Sequence, residues 1–132
     1  MPNIPPTLKN TIVLGVCRVV RPMQAARLRR LAAHTPDALF LNLGSGGHNV
    51  PGWINIDINF RSRPDVILDL TRPLPLPNAS ARLIFTEDFV EHIEKEQCAA
   101  FVAECFRVLK PGGLLRVRTP NLQHIAEQYV NR

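Results

Sequence analysis

Leu39-Phe40-Leu41-Asn42-Leu43 runs directly into Gly44-Ser45-Gly46-Gly47. An apolar run that stops in glycines marks a buried strand whose backbone then comes close to something, because residues without a Cβ permit that approach. In open α/β sheets ligands sit at the carboxyl ends of strands, so residues 44–47 form a candidate binding loop. Two carboxylates end later apolar runs: Asp57 after Trp53-Ile54-Asn55-Ile56, and Asp69 after Val66-Ile67-Leu68. Asp57 can accept both hydroxyls of a ribose, and Asp69 can accept a hydrogen bond from an exocyclic amine such as that of adenine. This is the chemistry of a nucleoside without phosphates. A dinucleotide fingerprint would need a third glycine where Asn49 stands, and an acid about 20 residues beyond the first glycine. Asp57 follows Gly44 by only 13 residues. No G-x-x-x-x-G-K-[ST] loop for a nucleoside triphosphate is present.

A second polar group is Glu87-Asp88-Phe89-Val90-Glu91-His92. Imidazole exchanges protons near neutral pH, so His92 is the candidate base. If the cluster is helical, Glu87 and Glu91 lie one turn apart on one face. Three roles suit it: a polar wall beside ligand or substrate, a hydrogen-bonded structural group, or a divalent metal site. His34, His48 and His124 have no partner pattern, although His48 is near the glycine loop. Trp53 opens its strand and reads as packing. Cys17, Cys98 and Cys105 are an odd set with no C-x-x-C pair, which fits a reducing interior.

These groups need strands and helices to hold them. A chain of 132 residues is of single-domain size. Strands are expected at about 38–43, 53–57, 65–68, 83–86 and 114–118. Pro73, Pro75 and Pro77 exclude a helix or central strand between the third and fourth. A helix is expected over about 94–109, with Cys98, Phe101, Val102, Cys105, Phe106 and Leu109 at helical spacing on the inner face. Cys98 and Cys105 read there as small core residues. Lys110-Pro111-Gly112-Gly113 should stop that helix, and Pro120-Asn121 should open a last one. Only about nine residues, 44–52, separate the first two strands. That is too short for a helical crossover, so a loop or single turn is expected.

Residues 1–10 carry Pro2, Pro5 and Pro6 and read as loose; residues 11–20 fit a strand or a short helix. A helix is expected over 22–34, with Pro22 in its first turn. The net charge is +5, yet residues 1–36 hold six basic residues and no acid, so the remainder is nearly neutral. A nucleic-acid enzyme would show a basic face across its body, and none is expected as partner. The basic segment is either a solvated helix face or a surface for a membrane, an anionic substrate or a partner chain. No apolar run reaches the roughly 20 residues of a bilayer span, and no signal peptide is expected.

The motifs then fall in a familiar order. They are Asn42-Leu43-Gly44-Ser45-Gly46, Gly52-Trp53-Ile54-Asn55-Ile56-Asp57, Asp69-Leu70 before Pro73-Leu74-Pro75-Leu76, Glu91-His92-Ile93, Arg107-Val108-Leu109-Lys110-Pro111-Gly112-Gly113, and Thr119-Pro120-Asn121-Leu122. Over about residues 38–125 the chain resembles a class I S-adenosylmethionine-dependent methyltransferase, most of all the small branch met beside glycan and exopolysaccharide genes. The resemblance implies a Rossmann-like α/β fold, a mainly parallel sheet of about five strands with flanking helices. Residues 1–36 would be a basic segment with a helix, and 37–132 the cofactor-binding part of one globular domain.

The resemblance also implies roles. Asn42, Gly44, Ser45 and Gly46 would underlie the methionine part of S-adenosylmethionine, with Asn42 standing where many relatives have an acid. Asp57 and Ile58 would meet the ribose side, Asp69 and Leu70 the adenine, and Thr86 and Glu87 the methyl group and acceptor. Beside the resemblance, the chemistry of the residues themselves makes His92 and Glu91 the expected catalytic pair, with no metal. The acceptor would be a small molecule or glycan, and the setting cytoplasmic. The family fold has seven strands, and the sequence supplies five. The last strand would then be an open edge: either a second copy or a partner chain covers it, or the basic N-terminal segment folds over it, or the chain is a truncated, cofactor-binding remnant of the family.

Overall fold

The glycine loop follows β1, Phe40–Leu43, whose residues 41–43 are buried. A computed structural model describes residues 6–130 of the chain. The other elements are α1 (Pro6–Ala33), β2 (Ile54–Asp57), β3 (Val66–Ile67), β4 (Ala81–Glu87), α2 (Lys95–Val108), β5 (Leu109–Arg118) and α3 (Leu122–Val130). The strands form one sheet in the order β3-β2-β1-β4-β5, and every pairing is parallel. β1 is central, so its carboxyl end opens where the strand order reverses, the place at which such sheets bind ligands.

Directly paired residues share a face of the sheet. Leu41, Leu43, Ile54, Ile56 and Ile84 form the core face, closed by Leu28 of α1 and by Phe101, Cys105 and Val108 of α2. The opposite face carries Phe40, Trp53 and Phe85, with ring centroids 5.4 Å and 6.5 Å apart. The link from β1 to β2 is a series of turns, tied down by Asn55, whose side chain bonds Val50, Trp53 and Asp65.

The N-terminal region departs from expectation. Residues 6–10 are helical rather than loose, and 11–20 are part of that same helix; Met1 to Pro5 lie outside the described residues. Pro22 sits in the interior of α1, not in a first turn. A proline removes one rung of a helix. Here Cys17, Gln24, Ala25 and Leu28 are buried along one face, and the Gln24 side-chain oxygen accepts from the Ile67 amide at 3.0 Å. Tertiary burial outweighs the missing rung.

The α2 helix also turns differently from the expected register. Its buried residues are Phe101, Cys105 and Val108, while Phe106 is 82% exposed and Val102 points outward as well. Cys98 is only half-buried, and all three cysteines are free. The helix ends at Val108, before the Lys-Pro-Gly-Gly turn. Those four residues instead form an irregularity inside β5, where pairing jumps from Ala81↔Leu109 to Leu83↔Leu114. A Cβ on Gly113 would lie 2.8 Å from the Lys110 carbonyl oxygen, so the tight path requires glycine there. β5 is an edge strand.

Candidate functional site

The glycine loop is fastened to the next strand before it reaches any ligand. The amides of Gly44 and Ser45 both donate to the Ile56 carbonyl, at 2.8 Å and 3.2 Å. Gly44 has φ 70°, and a Cβ placed on it would lie 2.9 Å from three atoms of the Phe89 ring and Cβ. Glycine is therefore required twice at this position, by conformation and by contact. Two residues on, the Gly46 amide donates to Asp57 Oδ2 at 2.8 Å. The Asn59 amide donates to Oδ1 at 2.6 Å. A carboxylate offers about four acceptor positions, so Asp57 is held rigidly and still has capacity for ligand hydroxyls.

Asp69 is held in the same manner. Its Oδ1 accepts from the Thr71 amide at 3.0 Å and from the Thr71 hydroxyl at 2.6 Å, and Arg72 lies 3.5 Å from Oδ2. Beneath it Cys17 is buried, and burial pushes its thiol up from the ordinary value. Asp57 and Asp69 face a common cleft of about 860 Å³ at the carboxyl ends of the strands, together with Gly44, Ile58, Leu70 and His92.

The other expected site residues lie outside that cleft lining. Asn42 is buried below the loop, donating to the His48 carbonyl at 2.9 Å and to Asn55 Oδ1 at 3.0 Å. Ser45 and Thr86 are buried too, and neither hydroxyl oxygen has a partner among the described residues. Glu87 forms an ion pair with Arg118 at 2.6 Å. Glu91 is exposed, and so is His48 at the far side of the loop. The helical pairing of Glu87 with Glu91 does not form. β4 runs through Glu87, Asp88 takes φ 50°, and only Val90–His92 make a short 3₁₀ turn. No group of three metal-ligating side chains comes together among the described residues.

The sequence reading missed two walls. Leu14 and Arg18 of α1 line the cleft, and so do Ile93, Gln97 and Phe89, the last of which lies against Gly44. Leu14, Arg18 and Arg21 follow the i, i+4, i+7 rule. That signal is visible only when the helix is read straight through Pro22. Arg21 fastens the roof by donating from Nη2 to the Pro73 carbonyl at 2.6 Å.

Comparison with known proteins adds independent findings. A family described as a methyltransferase domain matches residues 51–117. A "probable S-adenosylmethionine-dependent methyltransferase" of Mycolicibacterium smegmatis is 50% identical over 48 residues, 36% of this chain and 18% of that protein. One of Mycobacterium tuberculosis is 48% identical over 48 residues, 36% of this chain and 17% of that protein. The chain thus matches less than a fifth of the length of these curated relatives. The crystal structure of a SAM-dependent methyltransferase from Archaeoglobus fulgidus superposes with a TM-score of 0.59 at 22% identity. That match covers 83% of this chain and 59% of the other, and it is a likeness of fold.

Proposed function

This chain belongs to the class I S-adenosylmethionine-dependent methyltransferase family, and on that premise we propose that it binds S-adenosylmethionine and transfers its methyl group to an acceptor. The observation that carries the reading is the Asp57 carboxylate, fixed by the Gly46 and Asn59 amides on the wall of the cleft. The residues fit the cofactor. A Cβ on Gly46 or Gly47 would meet nothing within 4 Å, so the loop has open space above it.

When bound, the cofactor supplies an electrophilic methyl group on sulfur. The chain contributes position and dryness. Gly44, Ser45 and Gly46 would carry the methionine portion, with Asn42 bracing the loop from below. Asp57 and Ile58 would take the ribose side, and Asp69 and Leu70 the adenine. Thr86 and Glu87, at the carboxyl end of β4, would border the transferred group. His92 lies at the cleft surface and would accept the proton of an oxygen acceptor, with Glu91 beside it in sequence as its polar neighbour. No metal is assigned.

The acceptor is proposed to be a small molecule or a glycan, because the basic excess lies on α1 and not across the body, as nucleic acid would require. Three free cysteines suit the cytoplasm. No described helix is long and apolar enough to cross a membrane. The basic segment 1–36 and the part 37–132 would form one unit, held by Leu28 and Gln24. A second reading is a cofactor-binding remnant that pairs with or regulates another chain; among the described residues β5 lies at the edge of the sheet, where a further strand could pair.

Calorimetric titration with S-adenosylmethionine and S-adenosylhomocysteine tests the reading. Both should release heat, and Asp57→Ala should weaken both by at least tenfold. Absence of heat with either ligand would sink the cofactor assignment. Binding without turnover on any acceptor would favour the remnant.

A further inference from the structure

α1 has a second face that the cleft and core do not use. Ile12, Val16, Val19 and Met23 are spaced i, i+4, i+7, i+11, which places them on one line along a helix. The buried line of Cys17, Gln24, Ala25 and Leu28 fixes the opposite side of the helix against the sheet, so the first line faces outward. Its members are 50%, 55%, 82% and 63% exposed. The same line continues into Arg27 and Arg30, which share a shallow depression with Met23. Neither arginine forms an ion pair among the described residues, and the helix contains no acid.

An outward apolar line that ends in two arginines is costly in water unless a surface that is both apolar and anionic covers it. We infer that the outer face of α1 docks this protein, lying flat, on an anionic lipid surface. The apolar side chains would enter the headgroup boundary, and the arginines would pair with lipid phosphates. A nucleic acid would use the arginines but leave four apolar side chains without a role. Charge complementarity and the apolar line together select a bilayer carrying negative headgroups. The helix does not cross it. The inference stands independently of the methyl-transfer reading.

The experiment is sedimentation of the full chain with vesicles of phosphatidylcholine, with and without phosphatidylglycerol, at low and physiological salt. The protein should sediment with the anionic vesicles and stay in solution with the neutral ones. Val19→Asp, and separately Arg27→Glu with Arg30→Glu, should each weaken binding by at least about tenfold. Lys95→Glu, an exposed charge on α2, should leave it unchanged. Circular dichroism and thermal denaturation check that each variant is folded. The inference is overturned if wild type ignores anionic vesicles, if Lys95→Glu weakens binding as much as the arginine pair, or if Val19→Asp has no effect. In the last case a polyanion such as nucleic acid becomes the better partner.

Discussion

The Gly46 amide donates to Asp57 Oδ2 across 2.8 Å, so the loop after β1 and the end of β2 are one rigid unit. The Asp57 carboxylate on the cleft wall is therefore oriented by the glycine loop. Replacing Asp57 by Asn keeps the shape but removes the charge that strengthens both backbone hydrogen bonds. Asp57→Asn should lower stability by about 1–2 kcal/mol and weaken nucleoside binding by at least tenfold. Thermal denaturation reads the first and calorimetry the second; an unchanged affinity would remove Asp57 from the site.

Gly44→Ala should destabilise by about 2–3 kcal/mol, because the new methyl group meets Phe89 and the backbone holds φ 70°. Phe89→Ala in the same chain removes Cγ and Cδ2, two of the three contacting atoms, and leaves the backbone at φ 70°. The double variant should therefore recover part of the loss, and urea melts of the full cycle measure that coupling.

Arg107 gathers the proline-rich loop. Its guanidinium donates to the Leu74 and Leu76 carbonyls, to Asn78 Oδ1 and to Glu104, and Glu104 in turn accepts from the Leu74 amide at 2.6 Å. Lysine cannot reproduce this planar fork. Arg107→Lys should cost about 2 kcal/mol and raise hydrogen exchange across residues 72–80. The Arg107 side chain holds the Glu104 carboxyl below its usual range. Its folded value is thus lower than its unfolded one, so this contribution is present above the ordinary carboxylate range and fades as pH falls through the folded value. Glu104→Gln should flatten the acid limb of the stability curve.

Burial pushes the Cys105 thiol up to about 12. An unfolded thiol ionises near pH 8.5. Between those values the unfolded chain releases a proton that the folded chain keeps, so stability should fall as pH rises from about 8.5 to 12. Cys105→Ala should flatten that limb while lowering stability at neutral pH. A thiol reagent should label half-buried Cys98 in the native protein well before Cys105.

The strands and the glycine loop were legible because an apolar run followed by Gly44-Ser45-Gly46 admits few structures. Asp57 and Asp69 were legible as strand-end acids for the same reason. The roof of the cleft was not. A proline inside a periodic pattern reads as a boundary, and only the burial of Cys17, Gln24 and Leu28 against the sheet shows that the helix passes through it. In α2 the stretch Phe101–Phe106 offers two adjacent apolar lines, Phe101 with Cys105 and Val102 with Phe106. Helical spacing accepts either, and the sheet selects the first. The order Lys110-Pro111-Gly112-Gly113 carries the composition of a helix stop; the bulge it makes depends on pairing with β4, which lies far away in sequence. The same holds for Glu87, whose partner Arg118 is set by strand pairing.

Pro22 has a consequence for the timing of ligand exchange. It has no amide hydrogen to offer the Arg18 carbonyl, so α1 lacks a rung between the turns that carry Leu14 and Arg18 over the cleft and those anchored by Gln24 and Leu28. The helix is thus two levers joined at one imino acid. A bend there would shift Leu14 and Arg18 over the cleft without moving the sheet. Ligand exchange measured by stopped flow should therefore be slower in Pro22→Ala, which restores the rung, than in the natural chain.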